Sequence, residues 1–217
     1  FLTKLKFINK KMKNIVITSA KRTPISKFMG GFGSLSASEL GALVLEEIIK
    51  DSELTKDQID EVILGQVLTG GSGQNPARQT SCLTNIPDSK SALTVNQVCG
   101  SGLRAISLGA QSIMTGQSDI VLAGGQESMS NAHHTANLRN GIKMGDSQMK
   151  DSMIIDGLWC AMNDYHMGIT AENVAEKYKI DKDQQDQFAA NSQIKAEKAQ
   201  KNDRFKDEIV PVKIKKK

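Results

Sequence analysis

Along the first 125 residues, short continuous apolar runs alternate with segments whose apolar residues recur at helical spacing. Four short, continuous apolar runs predict strands, and those at 61–68 and 92–95 are expected to be buried. The four runs lie at residues 14–18, 61–68, 92–95 and 120–123. Between them, apolar residues recur every three or four positions, which predicts helices beginning near Ser36, Asn75 and Gly102. Strands that alternate with helices are typical of a largely parallel sheet with helices on both faces. The chain is therefore predicted to be an α/β protein.

The first two predicted helices carry recognisable N-terminal signals. Ser36 and Glu39 have the spacing of a capping box, in which each side chain bonds the other residue's backbone N–H. Pro76 falls in the first turn of the second helix, where proline is tolerated. The apolar face of the first helix is predicted to consist of Leu40, Leu43, Val44 and Ile48.

The pattern changes after Met129. Residues 130–165 are rich in Asn, Asp, Gly, Met and Ser and have no clean period, so they are predicted to form an extended loop region. The segments predicted after it are two helices and a strand, at 170–178, 181–201 and 205–214. Asp181 and Gln184 again form a capping pair. The chain is thus divided into an extension at 1–13, a domain at 14–130 and a partial second domain at 131–217.

The formal net charge of +4 is carried by the two ends of the chain. Residues 1–13 contain five lysines and no acid, and residues 213–217 contain four lysines. The segment between them holds 19 basic and 24 acidic residues, a net charge of −5. This balance is unlike that of a nucleic-acid-binding protein, so no nucleic-acid partner is predicted.

Membrane insertion and secretion are not expected from this sequence. No apolar run approaches the length of a membrane span, and residues 1–13 lack the long apolar region of a signal peptide. Met12 stands directly before the first predicted strand, so translation is expected to begin there. The three cysteines, Cys82, Cys99 and Cys160, are odd in number and have no metal-ligand spacing. A reducing, cytoplasmic setting without a metal site is therefore predicted.

Cys99 is the strongest candidate for a reactive side chain. It lies between the predicted strand at 92–95 and the predicted helix that begins at Gly102, here called the Cys99 helix. The N–H groups and positive dipole end of a helix start favour a thiolate, the nucleophilic form of cysteine. Gly100 and Gly102 are interpreted as leaving room for an acyl group and for N–H donors beside the sulfur. The alternative is a small buried structural cysteine.

The Cys99 helix is small on nearly every side and carries few charges. Helices of this composition are usually packed between two layers, so its far side should also be covered. The residues that make it small are Ala105, Ser107, Gly109, Ala110 and Ser112. No second sheet that could cover the far side is visible in the sequence.

The histidines are weaker candidates. His133 and His134 lie in the loop region, where paired histidines are most often solvated. His166, between Tyr165 and Met167 at the start of a helix, fits a ligand contact and simple packing about equally well.

The sequence resembles the N-terminal half of a thiolase, specifically of the short-chain acetyl-CoA acetyltransferase type. The resemblance runs from about Met12 to the end and rests on many motifs in the same order. The matching segments are 22–25, 73–79, 96–106, 123–130, 143–146, 165–168, 170–175 and 208–212. It implies a layered α/β/α domain followed by part of an α+β loop domain that covers coenzyme A and begins near Asn131.

The resemblance also implies a two-step reaction. The cysteine that matches Cys99 takes an acetyl group from acetyl-CoA, and a second acetyl-CoA then condenses with it to acetoacetyl-CoA, reversibly. The residues that match Leu158, His166 and Met167 line the pantetheine and acyl pocket, and the backbone N–H of the cysteine contributes to an oxyanion hole. Coenzyme A thioesters are substrates, no cofactor is implied, and full-length members of the family form homodimers or homotetramers.

Several features depart from the family pattern. The general-base histidine, a second cysteine and an asparagine that holds a catalytic water belong to a C-terminal half and have no counterpart in residues 1–217. Gln193 replaces the tyrosine of potassium-activated members. Two interpretations therefore stand: an acyltransferase seen in part, and a non-catalytic remnant of such an enzyme. A third, a condensing enzyme of the ketoacyl-synthase type, shares the fold but lacks the same insertion.

Overall fold

The computed structural model describes residues 14–214 and places a three-stranded parallel sheet at its centre. Strand β1 (Glu61–Gly65) is the middle strand and pairs with β2 (Ser91–Val95) on one side and with β3 (Val121–Gly125) on the other. The three strands are in register and end at the same edge of the sheet. The predicted α/β class with a parallel sheet is confirmed.

Helices cover both faces of the sheet. Successive side chains of a strand point to opposite faces, so a continuous apolar strand has apolar side chains to bury on both. Helix α1 (Ala37–Asp51) and helix α2 (Pro76–Leu83) pack together on one face. Helix α3 (Ser101–Thr115), the predicted Cys99 helix, lies on the other face against β1 and β3. The core beneath α1 and α2 consists of Leu45, Ile49, Ile59, Val62, Leu64, Ala77, Ile86 and Leu122.

Helix α1 begins as the sequence predicts. Ser36 Oγ accepts a hydrogen bond from the Glu39 N–H (3.2 Å), and Glu39 Oε2 accepts one from the Ser36 N–H (2.8 Å). Its predicted apolar face is partly wrong, because Leu43 is 38% exposed while Leu45 and Ile49 reach the core. Apolar residues surround more than half of this helix, so their spacing alone does not decide which stripe meets the sheet.

Two of the predicted strands differ in the structure. Residues 14–18 form no strand and have no partner strand in the described part of the chain, and Val16 and Ile17 are 74% and 76% exposed. An apolar run becomes a strand only where a neighbouring edge accepts its hydrogen bonds. Strand β2 does form, but it is an edge strand, so Leu93 is 45% exposed instead of buried.

The chain after β3 contains short elements, in agreement with the predicted loop region. Two antiparallel pairs form, β4 (His134–Thr135) with β5 (Lys150–Asp151) and β6 (Trp159–Cys160) with β7 (Tyr165–His166). Single helical turns lie at Met129–Asn131 and Met153–Leu158, the second of π type; another, at Lys56–Gln58, lies earlier in the chain, before β1.

Two exposed helices follow, α4 (Met167–Tyr178) and α5 (Lys182–Lys201), and both were predicted within a few residues. Asp181 forms the predicted capping box with Gln184. The predicted domain boundary after residue 130 stays a prediction. The predicted extension at residues 1–13 lies outside the described residues.

The residues after α5 return to Arg22. The Arg22 N–H donates to the Glu208 carbonyl oxygen, and the Val210 N–H donates to the Arg22 carbonyl oxygen (both 2.8 Å). Arg22 Nε also donates to Glu208 Oε2 (2.8 Å), and the guanidinium lies 5.2 Å from the centre of the Phe205 ring. The strand predicted after α5 is therefore reduced to a single bridge between Arg22 and Ile209, called the Arg22 bridge below.

Candidate active site

Cys99 lies on the turn that joins β2 to α3, so the predicted strand–helix junction is confirmed. The turn comprises residues 96–101 and is called the Cys99 turn below. Gly100 is the N-cap residue of α3, which places the cysteine beside the positive end of the helix dipole. The cysteine is exposed, not a buried structural residue, and its thiol can meet a ligand.

Side-chain hydrogen bonds fix the shape of the Cys99 turn. Asn96 Oδ1 accepts from the Val98 N–H (2.8 Å). Ser101 Oγ accepts from the Gln97 N–H (2.8 Å) and donates to the Val98 carbonyl oxygen (2.6 Å). These bonds use side chains and backbone groups on both sides of Cys99, so its neighbours hold the turn.

The residue before Cys99 has a strained backbone. Val98 has φ of +48°, in the left-handed region that β-branched residues rarely adopt. Such a conformation costs about 1–3 kcal/mol and persists only where the surroundings determine it. The hydrogen bonds of the turn provide that constraint, and they hold the following residue, Cys99, in one orientation.

Three glycines bring the start of α3 onto the sheet. A Cβ on Gly65 would lie 2.4 Å from the carbonyl carbon of Ser101, and one on Gly125 would lie 3.2 Å from Gly102 Cα. Side chains at these positions would push the Cys99 turn away from the strand ends. The interpretation of Gly102 as room for an acyl group is therefore wrong, because Gly102 faces the sheet. The role assigned to Gly100 stays a prediction.

The three strands continue into three segments at one edge of the sheet, each of which begins with a polar amide residue. They are Gln66–Leu68 after β1, Asn96–Cys99 after β2 and Gln126–Ser128 after β3. Ligands of open parallel sheets bind outside the carboxyl ends of the strands. The position of Cys99 at this edge is therefore that of a ligand-binding residue.

Glu127 connects two of these segments. Its Oε2 accepts hydrogen bonds from the N–H groups of Val67 (2.8 Å) and Leu68 (3.4 Å). Asn96 Nδ2 in turn donates to the Val67 carbonyl oxygen (3.4 Å). Burial raises the pKa of Glu127, although the backbone N–H groups act in the opposite direction. The sequence analysis missed both side chains, and the available signal was a polar residue just after each strand.

A buried polar network supports the same edge. Gln126 Nε2 donates to Gln66 Oε1 (2.9 Å), and Thr80 Oγ1 donates to Gln126 Oε1 (2.7 Å). The three residues are nearly inaccessible to solvent. Because buried amides are costly when unpaired, this network fixes the segments after β1 and β3 relative to α2.

The three residues assigned by resemblance to the acyl pocket lie together. The β6–β7 pair places Trp159 opposite His166, so Leu158 and Met167 flank the same end of the hairpin. His166 Nδ1 accepts from the Gly168 N–H (3.0 Å) and caps α4, which leaves Nε2 for a ligand. Their contact with a substrate stays a prediction.

This hairpin is linked to the sheet edge through the turn before it. A Cβ on Gly157 would lie 3.7 Å from Leu68 Cδ2, in ordinary contact. Leu68 is one of the residues bonded by Glu127. The predicted acyl-pocket residues therefore adjoin the segment that follows β1.

Two cavities flank Glu127, one on each side. The larger, about 280 Å³, is also lined by Ser36, Gln66 and His133, and the smaller, about 190 Å³, by Arg22. Neither of these two cavities is lined by Cys99, which stands on an open surface. His133 and His134 are exposed, as predicted.

Cys160 also has a partner that favours its thiolate. Asn163 Nδ2 donates a hydrogen bond to Cys160 Sγ (3.2 Å), and this bond lowers the pKa of the Cys160 thiol. Cys160 is only half-exposed, however, so its sulfur is less accessible to an electrophile than that of the exposed Cys99.

We expect iodoacetamide to alkylate Cys99 faster than Cys82 or Cys160 in the folded chain, because only Cys99 combines exposure with a helix start. Limited labelling at increasing times, followed by peptide mapping, gives the three rates. In urea the rates should converge, which serves as the control. Faster labelling of either other cysteine in native protein would contradict the assignment.

Two negative findings concern the described residues. Within residues 14–214, no helix is both long and apolar enough to cross a lipid bilayer. In the same part of the chain, no group of three or more His, Cys, Asp or Glu side chains is placed to hold a metal ion.

Comparison with known proteins agrees with this architecture. Residues 15–217 match the family model described as thiolase, N-terminal domain. Acetyl-CoA acetyltransferases of Allochromatium vinosum and Paracoccus denitrificans are 56% and 55% identical to the chain over 203 and 204 residues, which are 93% and 94% of the chain and 52% of each relative. The crystal structure of Acat5 thiolase from Ascaris suum in complex with coenzyme A matches with a TM-score of 0.85 and 42% identity, over 89% of this chain and 50% of that one.

The chain thus spans about half the length of the curated relatives it matches. The family model covers almost the whole chain, from the first extended segment to the last residue. The parallel sheet, the helices on both of its faces and the cysteine at the start of α3 all fall within the matched region. The chain belongs to the thiolase family.

Proposed function

We propose that this chain carries the acyl-accepting part of an acetyl-CoA C-acetyltransferase. The overall reaction converts two acetyl-CoA into acetoacetyl-CoA and coenzyme A, reversibly, through an acetyl-Cys99 intermediate. The observation that carries the proposal is the exposed Cys99 on a strained turn at the start of α3. The relatives named acetyl-CoA acetyltransferase and the coenzyme A bound to the Ascaris thiolase support the substrate class.

In the first step the Cys99 thiolate attacks the carbonyl carbon of acetyl-CoA. A bond forms between Sγ and that carbon, the bond from the carbon to the coenzyme A sulfur breaks, and the released thiolate takes up a proton. Exchange of one thioester for another stores the acetyl group at little cost in free energy. In this proposal the backbone N–H of Cys99, at the start of α3, stabilises the oxyanion of this step.

In the second step a general base, which by the family resemblance belongs to the C-terminal half, takes a proton from the α-carbon of another acetyl-CoA. That carbon attacks the acetyl carbonyl, a carbon–carbon bond forms, and Cys99 leaves as a thiolate. Leu158, His166 and Met167 contact the pantetheine and acyl groups in this proposal. Coenzyme A thioesters act as substrates, and no further cofactor takes part.

The test is the intact mass of the purified chain with and without acetyl-CoA. We expect a gain of one acetyl group in the wild type and in Cys82→Ser, a matched control with the same substitution elsewhere. Cys99→Ser should show no stable gain, because a serine hydroxyl is a far weaker nucleophile than a thiolate. Hydroxylamine should remove the group as expected for a thioester. Acetylation that persists in Cys99→Ser would refute the proposal.

A further inference from the structure

The Val67–Leu68 peptide group lies between Glu127 and Asn96. Glu127 Oε2 accepts from the Leu68 N–H, and Asn96 Nδ2 donates to the Val67 carbonyl oxygen, each at 3.4 Å. In a trans peptide this N–H and this carbonyl belong to one planar group and point in opposite directions. Glu127 and Asn96 therefore bind opposite sides of the same peptide group.

Asn96 extends the connection to the residue before Cys99. Its Oδ1 accepts from the Val98 N–H at 2.8 Å, and Val98 has the strained backbone. Both ends of the Asn96 amide are thus occupied. A flipped amide would set its NH₂ group against the Val98 N–H and its oxygen against the Val67 carbonyl, which pairs donor with donor and acceptor with acceptor. The Val67 carbonyl therefore selects the amide orientation that the Cys99 turn requires.

We propose that Glu127 is a positioning residue that holds the Cys99 turn through the Val67–Leu68 peptide and Asn96. The proposal builds on the proposed function, in which Cys99 is the nucleophile. The same Glu127 oxygen also accepts from the Val67 N–H at 2.8 Å, so the carboxylate holds Val67 at its own N–H as well as through the Leu68 N–H. Hydrogen bonds to a carboxylate at the shorter of these lengths are roughly twice as strong as neutral ones. The connection starts after β3, crosses the segment after β1 and ends after β2, so it spans the whole sheet edge.

The surroundings of Glu127 fit a role beyond fold stability. Burial disfavours its charged form, so the carboxylate is kept at an energetic cost that an uncharged side chain would avoid. Groups held at such a cost are common at functional sites. The titratable and charged groups that line the two adjoining cavities are His133 on one side and Lys21 and Arg22 on the other.

The experiment measures labelling of Cys99 by 2,2′-dithiodipyridine, with peptide mapping to separate the three thiols. Glu127→Gln should slow Cys99 labelling about threefold to tenfold and leave Cys82 and Cys160 unchanged. Glu176→Gln is the matched control, because Glu176 is exposed on α4 and carries the same substitution. It should leave all three rates unchanged. Far-ultraviolet circular dichroism and the Cys82 rate report whether each variant is folded.

Asn96→Ala gives an independent measurement on the other side of the peptide. It should slow the labelling of Cys99 by a similar factor. Adding Glu127→Gln to this variant should not slow the labelling further, since both substitutions act through one connection. This variant decides the question if Glu127→Gln does not fold. Three results would overturn the proposal. They are additive losses of the Cys99 labelling rate in the double variant, equal losses of labelling rate at all three cysteines, and an unchanged Cys99 labelling rate in Glu127→Gln.

The pH profile separates positioning from a purely structural role. As the pH falls through the raised pKa of Glu127, the carboxylate is protonated and its bonds to the two N–H groups weaken. The wild-type Cys99 rate, divided by the Cys82 rate, should fall in that range, and Glu127→Gln should lack this step. A step that persists in Glu127→Gln would assign it to another group and overturn the proposal.

Acetylation by acetyl-CoA distinguishes the two proposals. If Cys99 is acetylated but its labelling does not depend on Glu127, the positioning role is wrong and the proposed function stands. If labelling depends on Glu127 but no acetyl group is gained, the proposed function is wrong and the positioning role stands.

Discussion

The 217-residue chain, assayed by itself, should accept an acetyl group from acetyl-CoA but should not sustain thiolysis of acetoacetyl-CoA. Attack on a thioester needs little more than a thiolate and a bound donor. Turnover also needs a base that moves a proton at the second substrate and donors that stabilise its enolate. A placed base contributes about 10²–10⁴-fold and an oxyanion-hole donor about 10²–10³-fold. Their joint absence should lower the rate by several powers of ten.

The histidines of the chain have contacts elsewhere. His166 Nδ1 accepts a hydrogen bond from the Gly168 N–H, and His133 lies against Gly71. Among the described residues, none of His133, His134 and His166 forms a hydrogen bond with Cys99. By the resemblance described above, thiolases carry their general base in the C-terminal half.

The measurement is the loss of acetoacetyl-CoA with free coenzyme A, for the wild type and for Cys99→Ser. We expect both to remain near the uncatalysed rate, while intact mass shows acetylation of the wild type only. Sustained turnover that Cys99→Ser abolishes would show that residues 1–217 contain the complete catalytic machinery.

The second large effect concerns the outer face of α3. Its sheet-facing side is small and buried at Ala105 and Gly109, whereas Leu103 is 75% and Ile106 is 41% exposed. Each large apolar side chain left in water forgoes about 1.5–3 kcal/mol, against a typical total stability of about 5–15 kcal/mol. The chain by itself should therefore be poorly soluble and should bind dyes that report exposed apolar surface. The covered far side predicted for this helix is not formed by residues 14–214.

Lysine substitutions at an exposed leucine and at a buried leucine test this expectation. Leu103→Lys should raise solubility and reduce binding of anilinonaphthalene sulfonate, because it removes exposed apolar area without touching the core. Leu45→Lys should unfold the chain, because Leu45 is 4% exposed and a buried unpaired charge costs several kcal/mol. A soluble wild-type monomer that melts in one sharp transition and binds no dye would contradict the expectation.

The sequence alone was sufficient for features that depend on neighbouring residues. The Ser36 and Asp181 capping boxes and the strand–helix position of Cys99 were predicted, because each depends on side chains a few residues apart. Features that depend on contacts between distant residues were not predicted. Residues 14–18 have the composition of a strand but pair with no strand in the described part of the chain, and β2 is exposed because it is an edge strand.

The candidate site shows the same division. Cys99 stands out in the sequence through its flanking glycines, but Glu127 does not, since its partners Val67 and Leu68 are some 60 residues away. Likewise, Gly102 was interpreted as serving the substrate, whereas its contact with Gly125 becomes visible only when α3 is placed on the sheet. Periodicity describes one element at a time, and these roles arise where elements meet.

The Arg22 bridge has a consequence for the order of folding. Its side-chain partners are 186 residues apart, whereas the three strands and the Cys99 turn lie within residues 61–125. Closing a longer loop costs more chain entropy, and contacts of high sequence separation form late. Synthesis proceeds from the N-terminus, so the sheet can assemble on the ribosome before Glu208 has been made. The Cys99 turn can therefore form before the Arg22 bridge closes.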